Sequence, residues 1–342
     1  VIEVHELYKY YGEKRALGPV EARIEQGEVI GLLGRNGAGK TTTLRILACD
    51  LLPTSGTVTV GGYDVVERPD EVRAKVGYLP DTPPLYDEMS VSEFLGYAAR
   101  LRGVSRADTG RKVDRALEQT ELGAVRHDLI ATLSHGFRKR VGIAQAIVHE
   151  PELVVLDEPI SGLDPAQIVE MRKLVRNLRG EHTVLVSSHI LGEISETCDR
   201  LLVIREGRIV AAGTESELVA QEQGHRLELQ LLGNDVGERV RSVVLAVDAA
   251  ARLDEVDSDE PGVSKFSVLV AMDCRAELSR ALVGAGLPLV GLARAQRDLE
   301  SVFLELSSER PLAAEDEEPG EAPGSPPEAA KADASVALEE EK

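Results

Sequence analysis

The sequence predicts an α/β domain with a mostly parallel sheet, followed by a small α+β, ferredoxin-like module. Three observations carry this. Short Val/Ile/Leu runs alternate with longer amphipathic stretches over residues 1 to about 220. A strand, a glycine-rich loop and a helix follow one another in "GLLGRNGAGKTTTLRIL". A second alternation of strand and helix patterns starts at His225.

In chain order, "EVIGLLG" (28–34), "ELVVLDEP" (152–159) and "TVLVSSH" (183–189) are apolar on both faces and end in polar residues, as buried parallel strands do. Strand signals vanish between residues 85 and 150, which predicts a helical insert. "PAQIVEMRKLVRNLRG" places Ile168, Met171, Leu174, Val175 and Leu178 on one helical face. In the second pattern, "HRLELQLL", "KFSVLVAM" and "LPLVGLAR" read as strands; "DVGERVRSVVLAV", "RAELSRALVGAG" and "RDLESVFLEL" read as helices. From Arg310 onward the chain has five prolines and a net charge of −7, a composition that predicts a disordered acidic tail. The expected boundaries are 1–220, 225–309 and 310–342.

Composition narrows the function classes. A net charge of −20, no Trp and 3% aromatics argue against a nucleic-acid partner, which needs a basic face and stacking platforms. Cys49, Cys198 and Cys274 match no metal spacing and are expected to be reduced thiols. No apolar run reaches the ~18 residues that read as a membrane span, so the chain reads as soluble and cytosolic.

The strongest motif is Gly34-x4-Gly39-Lys40-Thr41, the P-loop pattern in its required context between strand and helix. Its glycines let successive N–H groups converge on a phosphate, and the helix N-terminus adds partial positive charge. The candidate nucleotide-binding set is Gly34, Arg35, Asn36, Gly37, Ala38, Gly39, Lys40, Thr41 and Thr42. In this pattern Lys40 reaches the β- and γ-phosphates and the Thr41 hydroxyl holds Mg²⁺. Asp157 closes the run "LVVLD", where a carboxylate holds Mg²⁺ through water; Glu158 beside it is placed as general base.

The P-loop, the pentapeptide Leu133-Ser134-His135-Gly136-Phe137, "LVVLDEP", "SGLD" at 161–164 and "VSSH" ending at His189 occur in this order, which resembles the ATP-binding cassette (ABC) ATPases over residues 1 to about 220. The resemblance implies an ABC ATPase domain that works as a head-to-tail homodimer, each ATP lying between the P-loop of one copy and the pentapeptide of the other. It implies that Tyr11 stacks on adenine, with Tyr10 a possible substitute. It implies that Ser134 and Gly136 contact the opposite γ-phosphate, that Asp164 sits at the dimer seam, and that His189 grips the γ-phosphate and attacking water. The family's pentapeptide is Leu-Ser-Gly-Gly-Gln; here His135 and Phe137 depart from it, so phosphate sensing is expected to survive and ribose contact to be altered. His135 reads as a tolerated surface substitution. Val141, Ala144 and Val148 are expected to share one face of the helix that follows. Asp81 stands where the family has a Gln that binds Mg²⁺, a place a carboxylate can also fill at the cost of added negative charge.

"VGYLPDTPPLY", "LSHGFRKRVGIAQA", "EPISGLDP" and the ending "RDLESVFLEL" resemble a narrower group, the ATPase subunits of ABC-2 type exporters, with the multidrug-export and gliding-motility relatives. That resemblance implies integral membrane permease subunits as partners, and a cytoplasmic chain held peripherally on the inner face of the cell membrane. A soluble ABC ATPase acting on ribosomes or DNA is the alternative, disfavoured by the acidic charge and by the absence of a second cassette or long heptad arms. A non-catalytic regulatory cassette is disfavoured by intact Lys40, Asp157, Glu158 and His189.

Overall fold

The computed structural model describes residues 2–294, apart from 222–224, 234–235, 257, 259 and 261. The N-terminal part is organised by a six-stranded sheet in the order Arg208–Gly213, Arg200–Arg205, Val29–Leu33, Thr183–Ser188, Leu153–Leu156, Val76–Leu79. All neighbours are parallel except the edge pair Arg208–Gly213 with Arg200–Arg205. The strands Val29–Leu33, Leu153–Leu156 and Thr183–Ser188 are buried at every residue because both faces of the sheet are covered.

Alternation along these strands feeds two cores. Val154, Leu156, Val184 and Val186 pack into one, against the helices Val91–Leu101, Arg106–Gln119, His135–Ile147 and Pro165–Asn177. Leu153, Val155, Leu185, Ile30 and Leu32 face the other, against the helix Lys40–Leu47 and an antiparallel sheet. Each such side chain contributes roughly 1.5–3 kcal/mol on burial.

The helical insert is present: no strand lies between Leu79 and Leu153. Its helices begin where side chains satisfy the first free N–H groups. Ser90 and Glu93 form a capping box, Ser105 Oγ accepts from the Asp108 N–H at 3.1 Å, and Ser134 caps the helix His135–Ile147. That last helix differs from its sequence reading. Val141, Ala144 and Val148 are buried as expected, but so are Gly136, Lys139, Arg140, Gly142, Ile143, Ala146 and Ile147, making it a core helix rather than a one-faced one.

The sequence pattern did not disclose the second sheet of this part, in the order Lys14–Ile24, Ile2–Tyr11, Ser55–Val60, Tyr63–Asp64. Register shifts between Val4 and Leu7, and again before Lys9 and Tyr10, break the two-residue period by which such strands are read.

From His225 a small α+β domain follows. Its sheet runs Arg252–Val256, Val263–Val270, His225–Leu232, Leu289–Arg294, antiparallel throughout, with helices Gly237–Val247 and Arg275–Gly284. Leu227, Leu229, Leu231, Phe266 and Val268 meet Val240, Val244, Leu278 and Leu282 in its core. The strand Arg252–Val256 was missed in the sequence because only Leu253 in "RLDEV" is buried. The helix expected at 297–306 and the acidic tail expected from Arg310 lie outside the described residues. Among the described residues no helix is long and apolar enough to cross a membrane.

Candidate nucleotide site

Four strands of the parallel sheet deliver their carboxyl ends to one place. Val29–Leu33 runs into the glycine loop, Leu153–Leu156 into Asp157 and Glu158, Thr183–Ser188 into His189, and Val76–Leu79 toward Asp81. Ligands of open α/β sheets bind at such carboxyl edges, where loops from adjacent strands converge.

The loop's shape depends on glycine at two points. At Gly34 a Cβ would stand 2.4 Å from the Ile204 carbonyl oxygen. Gly39 has φ 113° and a Cβ there would stand 2.6 Å from Leu17 Cδ2. The helix Lys40–Leu47 starts immediately after, with no side-chain cap, so its first N–H groups remain for a ligand. Lys40 is 6% exposed; its Nζ donates to the Gly34 carbonyl at 2.8 Å and lies 3.3 Å from Glu158 Oε1. The ammonium is thus folded back over the loop by a carboxylate, in the position a polyanion would compete for.

Asp157 is fully buried. Its Oδ1 accepts from Ser187 Oγ at 2.6 Å, while Oδ2 has no hydrogen-bond partner. A buried carboxylate oxygen left open is costly unless something else satisfies it, and a hard cation fits that need. Among the described residues no group of three or more His, Cys, Asp or Glu could hold a metal by itself. The open Asp157 oxygen suits a hard cation such as Mg²⁺, which keeps waters and takes phosphate oxygens to complete its shell; Thr41, the second donor expected from the sequence, lines the cleft. Glu158 occupies a left-handed backbone conformation, φ 47°, with its N–H donating to Ser187 Oγ at 3.0 Å. Its Oε2 accepts from His189 Nδ1 at 2.9 Å.

The structure brings Tyr11, Asn36, Gly37, Gly39, Lys40, Thr41, Thr42, Asp81, Glu158 and His189 to one open cleft. Tyr11 is 49% exposed on its rim. Gly34 and Asp157 do not line it, although Lys40 bonds the Gly34 carbonyl and Asp157 adjoins Glu158; Arg35 and Ala38 belong to the loop without lining the cleft. Ser134 and Gly136 are not there. They border a separate concavity with Phe137, Arg140 and Gln167. The Ser134 hydroxyl is engaged as a helix cap, accepting from the Phe137 N–H at 3.4 Å. Asp164 lines neither concavity and caps the helix Pro165–Asn177 through the Gln167 N–H at 3.0 Å. His135 is exposed, as its reading as a surface substitution requires.

Sequence reasoning missed Ser187, which bonds both Asp157 and Glu158, and Lys139, whose Nζ reaches Asp81 and Glu158. Ser187 stood inside the quoted "VSSH", so its place in that motif was a usable signal. Lys139 carried none, because its partners are distant in sequence. Lys14 and Arg15 also line the cleft beside Tyr11, adding positive charge that the motifs do not mark.

A strand-to-helix turn of open N–H groups, with a lysine held in reserve by the carboxylate that follows a strand two places along the sheet, is built to receive a triphosphate. The class is that of the P-loop nucleoside triphosphatases. Residues 17–161 match the ABC transporter family. The bacitracin transport ATP-binding protein BcrA of Bacillus licheniformis is 30% identical over 308 residues, covering 90% of this chain and 97% of that protein. The daunorubicin resistance ATP-binding protein DrrA3 of Streptomyces coeruleorubidus is 34% identical, covering 88% of this chain and 94% of that protein. Among solved structures, cbiO1 from Clostridium perfringens, part of the ABC transporter complex cbiONQ, matches with a TM-score of 0.60 at 28% identity, over 72% of this chain and 94% of that one. The chain belongs to the ATP-binding subunits of ABC transporters: it is an ATP-binding and ATP-hydrolysing enzyme, one part of a transporter system.

Proposed function

We propose that this chain is the ATPase subunit of an ABC-2 type exporter. It works as a homodimer beneath integral membrane permease subunits, on the cytoplasmic face of the cell membrane. The observation that carries the dimer is the separation within one chain of the P-loop cleft from the concavity of Ser134 and Gly136. A second copy placed head to tail would bring that concavity over the nucleotide, with Asp164 at the seam. The exporter reading is supported by relatives named for bacitracin transport and daunorubicin resistance, both matched over nearly their whole length. It is also supported by the C-terminal domain from residue 225, which we read as ferredoxin-like from its β-α-β-β-α-β order.

In this reading the loop from Gly34 to Thr42 cradles the phosphates and Tyr11 stacks on adenine. Thr41 and Asp157 would hold Mg²⁺, with Asp81 nearby; when bound, the ion offsets charge on the phosphate oxygens. Glu158 accepts a proton from the attacking water. His189, hydrogen-bonded to Glu158, orients that carboxylate and faces the γ-phosphate. Lys40 exchanges Glu158 for phosphate, which frees the carboxylate for its task.

Affinity purification of the tagged chain from detergent-solubilised membranes tests the partner. Co-purification of integral membrane proteins in stoichiometric amount is the expected result. Recovery with ribosomes or DNA, and no membrane protein, would move the chain to the soluble ABC ATPases instead.

A further inference from the structure

We propose that Lys139 is a positioning residue of the ATPase site, tying the segment of Asp81 to the backbone of Glu158 and offsetting the charge that Asp81 adds beside a bound triphosphate. The proposal rests on the reading of Glu158 as the base.

Lys139 is 2% exposed and stands among the largest fully buried side chains. Lysine is rarely buried this completely unless it is paired, since its charge loses hydration. Its Nζ finds three oxygens: the Asp81 carbonyl at 2.6 Å, Asp81 Oδ1 at 3.4 Å and the Glu158 carbonyl at 3.2 Å. An ammonium has three donors and no acceptor, so its hydrogen-bonding capacity is matched by these contacts. The partners come from two segments that follow different strands, and both segments border the nucleotide cleft.

Each contact has a consequence. Glu158 is in the left-handed region, which a non-glycine residue holds only when its surroundings fix it. The peptide units on either side of its Cα are both held, by Ser187 Oγ on the N–H and by Lys139 on the carbonyl. Asp81 presents a carboxylate that is 65% exposed toward the cleft that Glu158 also lines. Without a cation behind it, that carboxylate would add repulsion toward the triphosphate and toward Glu158. Lys139 sits on the helix capped by Ser134, so a shift of that helix reaches Asp81 and Glu158 through one side chain.

The test uses the full chain with Lys139→Met, Lys139→Gln, Asp81→Asn, the double variant Asp81→Asn/Lys139→Gln, and Glu158→Gln as control. Steady-state ATPase kinetics, thermal midpoints, and fluorescent-ATP titrations at varied Mg²⁺ are measured on each. Lys139→Met is expected to lower kcat about tenfold or more with KM for ATP changed less than about threefold. It is also expected to shift nucleotide binding to lower Mg²⁺, because the released carboxylate attracts the cation. Asp81→Asn/Lys139→Gln is expected to recover most of the kcat lost in Lys139→Gln and to reverse the Mg²⁺ shift. A purely structural lysine would change the thermal midpoint without that Asp81-dependent recovery. Wild-type kcat and Mg²⁺ dependence in Lys139→Met would overturn the proposal, as would a double variant no better than Lys139→Gln. If Lys139→Met does not fold, Lys139→Gln and Asp81→Asn complete the same cycle. Normal hydrolysis by Glu158→Gln would remove the base assignment while leaving the Mg²⁺ titrations to decide the Lys139–Asp81 pairing; an inactive Glu158→Gln beside a normal Lys139→Met would remove the tether alone.

Discussion

The carboxylate of Glu158 is shared between His189 and Lys40: Oε2 lies 2.9 Å from His189 Nδ1 and Oε1 lies 3.3 Å from Lys40 Nζ. An ionised carboxylate only accepts, so Nδ1 carries the proton in the contact with His189. This fixes the imidazole against the end of the strand Leu153–Leu156, one strand away from its own.

Replacing Glu158 with Gln keeps the shape of this contact and removes the base. Hydrolysis should fall by about 10²–10⁴-fold, the usual contribution of a positioned base, while ATP binding persists and dimers accumulate. Single-turnover hydrolysis together with size-exclusion in ATP checks both halves. Hydrolysis at the wild-type rate would show that the base is another group.

Ser134→Arg and Phe137→Gln separate two roles of the altered pentapeptide. Ser134 borders its own concavity, away from the P-loop cleft. A long side chain there should abolish hydrolysis without weakening ATP binding to the monomer. Phe137→Gln should change the rate less than about tenfold, since one added hydrogen bond is worth ~0.5–1.5 kcal/mol net. Nucleotide titrations and ATPase assays on both variants provide the readout, and normal hydrolysis by Ser134→Arg would exclude Ser134 as a phosphate sensor.

Gly34→Ala should damage nucleotide binding although it adds a single methyl group. The new Cβ would meet the Ile204 carbonyl oxygen at 2.4 Å, a backbone atom that cannot swing aside. Overpacking of this kind costs about 1–3 kcal/mol, and if the loop moves to relieve it, ATP affinity should drop about tenfold or more. Calorimetric titration and the thermal midpoint distinguish a displaced loop from general unfolding. Unchanged affinity would mean that the loop accommodates the methyl.

Acid stability should depend on His149. Burial, and next the charge of Arg102, pull its imidazole down from 6.5 to about 4. The folded chain keeps it neutral while the unfolded chain takes up a proton below pH 6.5, so stability is lost as pH falls from 6.5 toward 4. The slope approaches about 1.4 kcal/mol per pH unit within that window. Its Nε2 donates to the Val76 carbonyl at 3.3 Å, a bond that Gln can imitate. His149→Gln should therefore flatten the pH dependence of urea unfolding between pH 6.5 and 4. An unchanged slope would show that other groups set it.

The elements legible in the sequence are those whose signal is local. The glycine loop, the buried strands at 29–33, 153–156 and 183–188, and the helix with Met171, Leu174 and Val175 inward each follow from a period or from a turn that only glycine tolerates. The N-terminal antiparallel sheet was not legible, because its bulges interrupt the two-residue period, and Arg252–Val256 buries too little to show one. Asp157, Glu158 and His189 were found as candidates because each closes an apolar strand, a position a short motif records.

Which residues turn, which alternate and which end a strand can be read locally, since those properties depend on neighbours a few positions away. Which residues meet is a matter of packing. Parallel strand order set Glu158 against His189 across 31 residues of chain, and packing of the helix His135–Ile147 carried Lys139 to Asp81 across 58. It also placed Ser134 and Gly136 on a concavity apart from the P-loop cleft. Such contacts arise when two sheet faces are buried at once, a condition of the whole fold that no local stretch encodes.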